Sequence, residues 1–381
     1  MKRVPRIVWS ILACVVCIVI TAVACMVRFN QGSTSDKYLE VLKIIQESFY
    51  EERDVSQVAD ASAKAMVGSL NDPSSFYMTS DEYEEYKLDM TNQYVGIGIA
   101  TEKSEKYGFL TVTNVTPGSP ADRAHIRVGN MISAIDSHNV AEYTPEELLA
   151  LIHSYSEKTN EADQYFTIHL LNSQGGKAEA RMKCELIYEE PVYYHIVEDT
   201  RIGYIQIVNF DDSAAVSIRS AVADLQTVGA TSLILDVRKN SSGKPAELGD
   251  ALDFLLPKGD LFLLRDRSGR ETAYSSDKTC VQMPMVVLVD ENTSCAAEMF
   301  ACVMQQAGVT IVGRRTPGSA LSQTTVELED GSAVRISRYE YLTPDKKSMS
   351  ELGGVMPDVP SYMIEDSSMD VQLEAAKDVL E

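Results

Sequence analysis

The sequence predicts a multidomain α+β protein that begins with a transmembrane helix. Three observations support this fold class. An apolar run without charge lies near the N-terminus, short β-branched segments separated by turns fill the middle of the chain, and strands alternate with helices in the C-terminal half. Such alternation is typical of a mostly parallel sheet covered by helices.

The charge balance excludes several classes of partner. The chain has 381 residues, with 34 Lys and Arg against 56 Asp and Glu, a net charge of -22. The four basic residues Lys2, Arg3, Arg6 and Arg28 precede the first acid, so the rest of the chain carries 30 minus 56, or -26. A body this acidic repels phosphate backbones and anionic lipid, so we expect no nucleic-acid partner and an apolar anchor.

Residues 7–27 form a run of 21 positions without a charge. A helix of that length spans about 32 Å, close to the hydrocarbon thickness of a bilayer. Three basic residues precede the run and only Arg28 follows it closely, so residues 1–6 are predicted to stay in the cytoplasm while the body lies outside the cell membrane. A signal peptide cleaved after residues 22–24 and a lipoprotein acylated on Cys25 are alternatives that place the body on the same side.

The cysteines and histidines predict neither a metal site nor a disulfide framework. Three cysteines lie in the apolar run, and the other four are scattered over the body, at Cys184, Cys280, Cys295 and Cys302. The five histidines are isolated, and no Cys or His cluster has the spacing of a metal site. We therefore expect no metal and no cofactor.

The body divides by pattern into four segments. A small helical unit is predicted over 36–92, with helices at 36–50, at 55–70 and from a capping box of Thr79 and Glu82 to about Met90. Residues 93–187 contain short strands and two helical pieces, which predict a compact β-rich module. Strands and helices alternate over 188–362, where a hairpin with its turn at Asp330 and Gly331 closes the pattern, and a C-terminal helix is predicted over 363–381.

The β-rich module resembles a PDZ domain of the bacterial protease type. The resemblance rests on the predicted strand Val95, Gly96, Ile97, Gly98 and Ile99, followed by the segments 115–121 (VTPGSPA) and 127–132 (RVGNMI). The two glycines let successive backbone amides converge on a carboxylate, and the following strand offers an open edge to which an extended peptide can add. This pattern predicts that residues 95–99 bind the C-terminal tails of proteins.

The whole order of anchor, helical unit, PDZ-like module and αβ core resembles the C-terminal processing peptidase family, or tail-specific proteases, over residues 36–360. Supporting segments are 70–78, 233–238, 289–298, 310–313 and 341–344. The resemblance implies an αβ core of the Clp-protease/crotonase type and a serine endopeptidase activity. It also implies a Ser–Lys dyad, a supporting Gln, and backbone amides that bind the oxyanion.

When the family's catalytic positions are matched to this sequence residue by residue, both positions of the dyad hold other residues. The serine position is Cys295 and the lysine position is Ser319, whereas the supporting amide is kept as Gln323. The oxyanion amides fall on Ser242, Gly243 and Ala296. Because Ser242 replaces a glycine, we expect it to impair this loop if the backbone there needs a positive φ.

These substitutions leave two chemical alternatives. Ser319 cannot take a proton as a lysine amine does, and such base catalysis contributes about 10² to 10⁴ in rate. One alternative is a slow thiol peptidase, because the dipole of the helix that begins at Cys295 lowers a thiol pKa. Its base would be His195, Lys244 or a residue not foreseen. In the other alternative, Cys295 is a half-buried helix-start residue without chemistry.

Two functions are therefore predicted. In the first, the PDZ groove captures tails of exported or membrane proteins and feeds them to a peptidase core of doubtful activity. In the second, the protein is a non-catalytic pseudopeptidase adapter, whose core serves as a scaffold for homo-oligomerisation or for regulating an active relative. Binding of a tail peptide without cleavage would favour the second.

Overall fold

The computed structural model describes residues 34–51, 53–104, 108–156, 164–171, 176–277, 279–362 and 369–381. The described part of the chain divides into two compact units, with the boundary between Tyr77 and Met78. Within the described ranges, no helix combines the length and the hydropathy needed to cross a membrane. The anchor predicted at 7–27 lies outside those ranges, as does 363–368 of the predicted C-terminal helix.

Helices and strands follow the predicted order. The described helices are α1 Thr34–Ser48, α2 Val55–Gly68, α3 Ser80–Asp89, α4 Pro120–Arg123, α5 Pro145–Ser156, α6 Ala214–Thr227, α7 Pro245–Leu255, α8 Cys295–Gln306, α9 Met349–Leu352 and α10 Val371–Leu380, with a 3₁₀ turn at Val140–Glu142. The described strands are β1 Phe76–Met78, β2 Gln93–Gly96, β3 Ile99–Lys103, β4 Leu110–Val115, β5 Met131–Ile135, β6 His138–Asn139, β7 Phe166–Leu171, β8 Lys177–Met182, β9 Glu185–Tyr188, β10 Val192–Ile196, β11 Ile202–Ile207, β12 Ser232–Asp236, β13 Gly259–Asp266, β14 Glu271–Ser276, β15 Met285–Val289, β16 Thr310–Gly313, β17 Leu321–Glu327, β18 Ala333–Leu342 and β19 Val359–Pro360.

The three helices predicted before the β-rich module all form. In the first unit, Asp54 caps α2 because its carboxylate accepts the amide of Ser56 at 2.9 Å. The second unit begins with α3, where the predicted capping box is confirmed. The Thr79 hydroxyl accepts the Glu82 amide at 3.4 Å, and the Glu82 carboxylate accepts the Thr79 amide at 2.8 Å.

The β-rich module contains an antiparallel sheet in the order β3, β4, β5, β7, β8, with β6 on β5, and a separate β2–β9 pair. Its core includes Val112, Ile126, Ile132, Phe166 and Ile168. The prediction of one strand over 95–99 is wrong, because the chain turns at Gly98 and separates β2 from β3. Gly98 has a φ of +80°, and a Cβ there would lie 2.2 Å from that of Ser119, so the turn requires glycine.

The C-terminal half contains the predicted parallel sheet. Its order is β10, β11, β12, β15, β16, β19, and every neighbouring pair is parallel except β10 with β11. Helices α6, α7 and α8 pack on one face, over side chains such as Leu235 and Val287, and α10 packs on the other, over Ile234 and Leu288. Such a sheet brings the carboxyl ends of its strands, and the loops that follow them, to one edge.

A second, antiparallel sheet contains β17, β18, β13 and β14 in that order. The predicted hairpin with its Asp330–Gly331 turn is confirmed and is longer than expected. The β13–β14 hairpin was not predicted from the sequence. Between Ser322 and Gln323 the pairing of β17 with β18 shifts, and such a bulge redirects the side chains that follow it.

The C-terminal helix α10 is held by a nearly buried arginine. Arg238 donates hydrogen bonds to both oxygens of Asp236 and of Asp370 and to the side chain of Gln372. Asp370 also caps α10 by accepting the amides of Gln372 and Leu373. Burial alone would raise the pKa of Asp370, but the hydrogen bonds and charge of Arg238 outweigh it and lower that pKa.

We expect Asp370→Asn to lower the free energy of unfolding by about 2 kcal/mol at pH 7, because the charge-assisted hydrogen bonds to Arg238 are lost, whereas asparagine caps a helix as well as aspartate does. The folded-state pKa lies below the unfolded one, so this stabilisation is present above about pH 4 and is lost as the pH falls through the folded value. Urea unfolding followed by circular dichroism at pH 7 and at pH 2–3 measures the difference. The control is Asp378→Asn, because Asp378 is an exposed residue on the same helix. An effect of Asp370→Asn that persists in acid would contradict a stabilisation that depends on the charge of Asp370.

Candidate active site

Cys295 lies where the chain leaves the parallel sheet and enters α8. Its φ is +53°, a left-handed conformation that is uncommon for a residue with a side chain. Hydrogen bonds hold this turn on both sides: the Ser294 amide donates to the Asn240 carbonyl at 3.0 Å, and the Cys295 amide donates to the Ser319 carbonyl at 3.0 Å. A strained backbone conformation held by its surroundings is typical of functional sites.

The Cys295 thiol is half-buried and its pKa is raised. Burial is the largest cause, and the charge of Glu298 adds to it. The Ser294 hydroxyl, the charge of Arg335 and the side chain of Gln323 all act in the opposite direction. The expectation that the helix start leaves this thiol with a lowered pKa is wrong, because burial outweighs the groups that favour the thiolate. The thiol therefore stays protonated at neutral pH.

The loop that carries Ser319 is anchored by a carboxylate from α8. Glu298 is fully buried and accepts the amides of Gly318 at 2.6 Å and Ser319 at 2.8 Å, as well as the hydroxyl of Thr316. The Ser319 side chain is exposed, but its backbone lies against Cys295. The structure thus brings the two positions of the family's dyad together. Glu298 was not singled out from the sequence, although a lone acid on an apolar helix face was a usable signal.

Gln323 faces the same thiol from β17. Its oxygen accepts a hydrogen bond from Arg335 at 3.0 Å, and its nitrogen donates to the Leu321 carbonyl and the Ser337 hydroxyl. Its polar side chain also acts to lower the pKa of Cys295. Arg335 was not predicted, because only the pairing of β17 with β18 brings it to the site.

The predicted oxyanion loop packs directly on the start of α8. Gly243 has a φ of +140°, and a Cβ there would lie 2.4 Å from that of Phe210 and 3.1 Å from that of Ala296. Ser242 does not have a positive φ, so the condition under which we expected this loop to be impaired is not met. The Ser242 amide donates to the Asn240 side chain at 3.2 Å, which leaves Gly243 and Ala296 as the better placed of the three predicted donors.

The two bases considered from the sequence are not placed to serve Cys295. His195 is paired with Tyr204, on the sheet face covered by α10, whereas α8 lies on the opposite face. Lys244 is near the site, but its ammonium is paired with Asp212 at 2.6 Å. Neither residue is therefore placed to take the role of the family's catalytic lysine.

A cleft of about 490 Å³ opens beside this constellation. Tyr86, Asp211, Gly243, Gln323 and Arg335 are among its lining residues. Arg335 lies over the ring of Tyr86, with its guanidinium carbon 5.7 Å from the ring centre. The cleft thus extends from α3 to the oxyanion loop and to Gln323.

A second cavity, the tail groove, lies in the β-rich module. It measures about 250 Å³ and brings together all five residues predicted to bind peptide: Val95, Gly96, Ile97, Gly98 and Ile99. Apolar side chains from α5 form another wall, among them Leu148, Leu149 and Ile152. Since β3 is the terminal strand of its sheet, its outer edge is open to an added strand.

The fold and the two sites define a peptidase-type core joined to a PDZ module, and comparisons with known proteins agree. Residues 201–361 match the model of peptidase family S41, and residues 111–159 match a PDZ domain model. The chain is 28% identical to the carboxy-terminal processing protease CtpA of Bacillus subtilis (strain 168) over 337 residues, which are 87% of this chain and 70% of that protein. It is 27% identical to a "Probable CtpA-like serine protease" of Staphylococcus haemolyticus (strain JCSC1435) over 344 residues, 86% of this chain and 66% of the relative.

A solved structure shows the same fold. The "Putative S41 protease from Bacteroides fragilis NCTC 9343" superposes with a TM-score of 0.61 and 16% identity, covering 89% of this chain and 96% of that one. The comparisons therefore support the C-terminal processing peptidase family, with a peptidase S41 domain over residues 201–361 and a PDZ domain over residues 111–159. The chain spans about two thirds of the length of the two curated relatives.

Proposed function

We propose that this protein is an extracytoplasmic pseudopeptidase, anchored in the cell membrane by residues 7–27, that binds protein C-terminal tails without cleaving them at a useful rate. The observation that carries the proposal is the combination of a tail groove in the β-rich module with a nucleophile position in the core that has no base among the described residues. The groove combines the open edge of β3 with an apolar cavity, the chemistry that captures an extended peptide with an apolar last residue.

The core supports the non-catalytic part of this proposal. The Cys295 thiol has a raised pKa, Ser319 offers no amine, and neither His195 nor Lys244 is placed to take the proton. Without a base, both deprotonation of the nucleophile and protonation of the leaving amine are unassisted. The bound tail would instead be held for an active relative or within a homo-oligomer.

A second candidate, a slow thiol peptidase, is favoured by one observation. Gly243 packs against Ala296, the residue that follows Cys295, as a pair of oxyanion donors would. Preorganised donors of this kind contribute about 10² to 10³ in rate without a base. This candidate predicts weak cleavage that depends on the thiol of residue 295.

The full-length chain in detergent micelles is expected to bind a fluorescent peptide with a free apolar C-terminus, and to bind the C-terminally amidated peptide at least about tenfold more weakly. The physical reason is the loss of charge-assisted hydrogen bonds from the backbone amides to the carboxylate. Fluorescence anisotropy measures both affinities. Equal affinity for the two peptides would contradict the tail-binding proposal.

Matched variants separate the groove from the rest of the surface. Leu149→Glu places a charge in the tail groove and is expected to weaken binding at least about tenfold, because a carboxylate there repels the peptide's own carboxylate. Val128→Glu is the control, since Val128 is 63% exposed, comparable with Leu149 at 57%, and lies outside the groove. If the wild type cleaves the bound peptide and Cys295→Ala does not, the protein is the slow thiol peptidase and the pseudopeptidase proposal is wrong.

A further inference from the structure

We propose that His153 is the residue of the tail groove that sets how strongly a terminal carboxylate is held, and that its protonation strengthens the binding of protein tails. The inference rests on the proposed tail-binding function and deepens it, because it names the side chain that responds to the charge of the tail. It concerns α3 and the β-rich module alone, and it is independent of any chemistry at Cys295.

His153 lies in the last turn of α5, between two cavities. It lines the tail groove together with Gly96, Ile97 and Gly98, the segment predicted to bind the carboxylate. It also lines a neighbouring cavity of about 370 Å³, to which α3 contributes side chains. Four lining residues are common to the two cavities: Tyr94, Val95, Leu149 and His153. The imidazole is therefore adjacent both to the groove and to α3.

A carboxylate of α3 faces the imidazole. Nδ1 of His153 lies 3.6 Å from Oε1 of Glu85, which is too long for a hydrogen bond but within the range of an ion pair. The side chain of His153 is 31% exposed and that of Glu85 is 68% exposed. A neutral imidazole gains little from this neighbour, whereas a protonated one is attracted to it. Glu85 thus favours the protonated form of His153.

When His153 is neutral, the side of the groove next to α3 is acidic. Asp89 lies one turn after Glu85 and lines the same cavity. Burial, and then the charge of Glu85, raise the pKa of Asp89. A protein tail brings one more carboxylate to this region, and like charges placed close together disfavour binding. A protonated His153 offsets that repulsion.

The other titratable groups described near α5 keep their charge over the neutral range. Burial is the largest cause of the raised pKa of Tyr94, and it raises the pKa of Cys184, whose thiol donates to a backbone carbonyl of α5 at 3.7 Å, to about 11. The ammonium of Lys103 donates to the carbonyl of Tyr143, which precedes the start of α5. Histidine is the residue type that changes charge between pH 5 and 8, so His153 is expected to dominate the response of the groove there.

The test is the affinity of the full-length chain in micelles for a fluorescent peptide with a free apolar C-terminus, measured by fluorescence anisotropy at pH 6 and pH 8. The wild type is expected to bind about threefold more tightly at pH 6, a modest change because solvent and salt screen a partly exposed charge. The C-terminally amidated peptide should show no such change. His153→Gln, which keeps Asp89, should abolish the change, and His153→Lys should bind at pH 8 about as tightly as the wild type does at pH 6.

His169→Gln is the matched control. His169 belongs to the same module, is 36% exposed and lies 3.3 Å from a carboxylate oxygen of Glu179, but it does not line the tail groove, so the threefold change should persist in this variant. If His153→Gln fails to fold, Glu85→Gln provides a second variant. It is expected to move the midpoint of the change to lower pH, because the protonated imidazole loses its partner.

Two results overturn the inference while leaving tail binding intact. One is a pH response that persists unchanged in a folded His153→Gln or Glu85→Gln variant. The other is a wild type that prefers the free over the amidated peptide equally at pH 6 and pH 8. Equal affinity for the two peptides at both pH values contradicts the proposed function, and this inference with it.

Discussion

Rebuilding the family's dyad with Cys295→Ser and Ser319→Lys is expected to produce cleavage of a tail peptide at least about 100-fold faster than either single variant. The backbone of residue 319 is already in place, because its carbonyl accepts the amide of residue 295 at 3.0 Å. A lysine introduced there starts beside the nucleophile. A quenched fluorescent peptide with a free apolar C-terminus measures the rate.

Two features of the site favour this gain. The loop that carries residue 319 is anchored by Glu298, which accepts the amides of Gly318 and Ser319. In addition, Ser242 does not adopt a positive φ, so the loop before Gly243 does not need a glycine restored there. Gly243 and Ala296 remain available as oxyanion donors.

The variant Cys295→Ala with Ser319→Lys serves as the control for the rebuilt dyad. It keeps the new lysine but lacks a nucleophile, so no cleavage is expected. Activity in this control would show that residue 295 is not the nucleophile position. Absence of cleavage by a rebuilt variant that folds and binds the peptide would show that more than the dyad has changed.

Glu298→Ala is expected to lower the free energy of unfolding by about 3 to 5 kcal/mol. The substitution removes the buried acceptor of two amides, from Gly318 and Ser319, and of the Thr316 hydroxyl, and each donor left buried without a partner is costly. Urea unfolding followed by circular dichroism measures the loss. Because Ser319 in turn holds the Cys295 amide, we also expect Cys295 alkylation to become faster as the thiol becomes more accessible.

Glu291→Ala is the matched control for Glu298→Ala. Glu291 precedes the same helix and its carboxylate pairs with Arg314, but both side chains are more than 40% exposed. Surface pairs of this kind contribute at most about 1 kcal/mol. Similar losses in the two variants would contradict the role of Glu298 as the anchor of the loop.

The fold was predictable to the extent that its segments carry local patterns. The parallel strands β12 and β15 each contain a continuous apolar run, and the capping box of Thr79 and Glu82 marks the start of α3 in the sequence itself. The β13–β14 hairpin was missed because its strands mix apolar and charged residues without strict alternation. The turn at Gly98 was missed because the residue that leaves no room for a side chain there, Ser119, is 21 positions away in the sequence.

The candidate site was predicted in its positions but not in its electrostatics. The structure brings Cys295, Ser319 and Gln323 together with the Gly243 loop, as the resemblance to the family implied. It does not leave the thiol with a lowered pKa. A helix start is visible in a sequence, and its dipole predicts a lowered thiol pKa. The burial that raises the pKa of Cys295 instead depends on side chains packed from other segments.

By itself, the sequence determined the acidic body, the apolar run at 7–27, the segment order, the glycine-containing segment 95–99 and the absence of a lysine at position 319. These follow from residue identity and local periodicity. Only the tertiary structure decided which charges face Cys295: Arg335 arrives by strand pairing, Glu298 faces inward from α8, and His195 lies on the other face of the sheet. The physical reason is that ionisation depends on distance and burial, which packing alone sets.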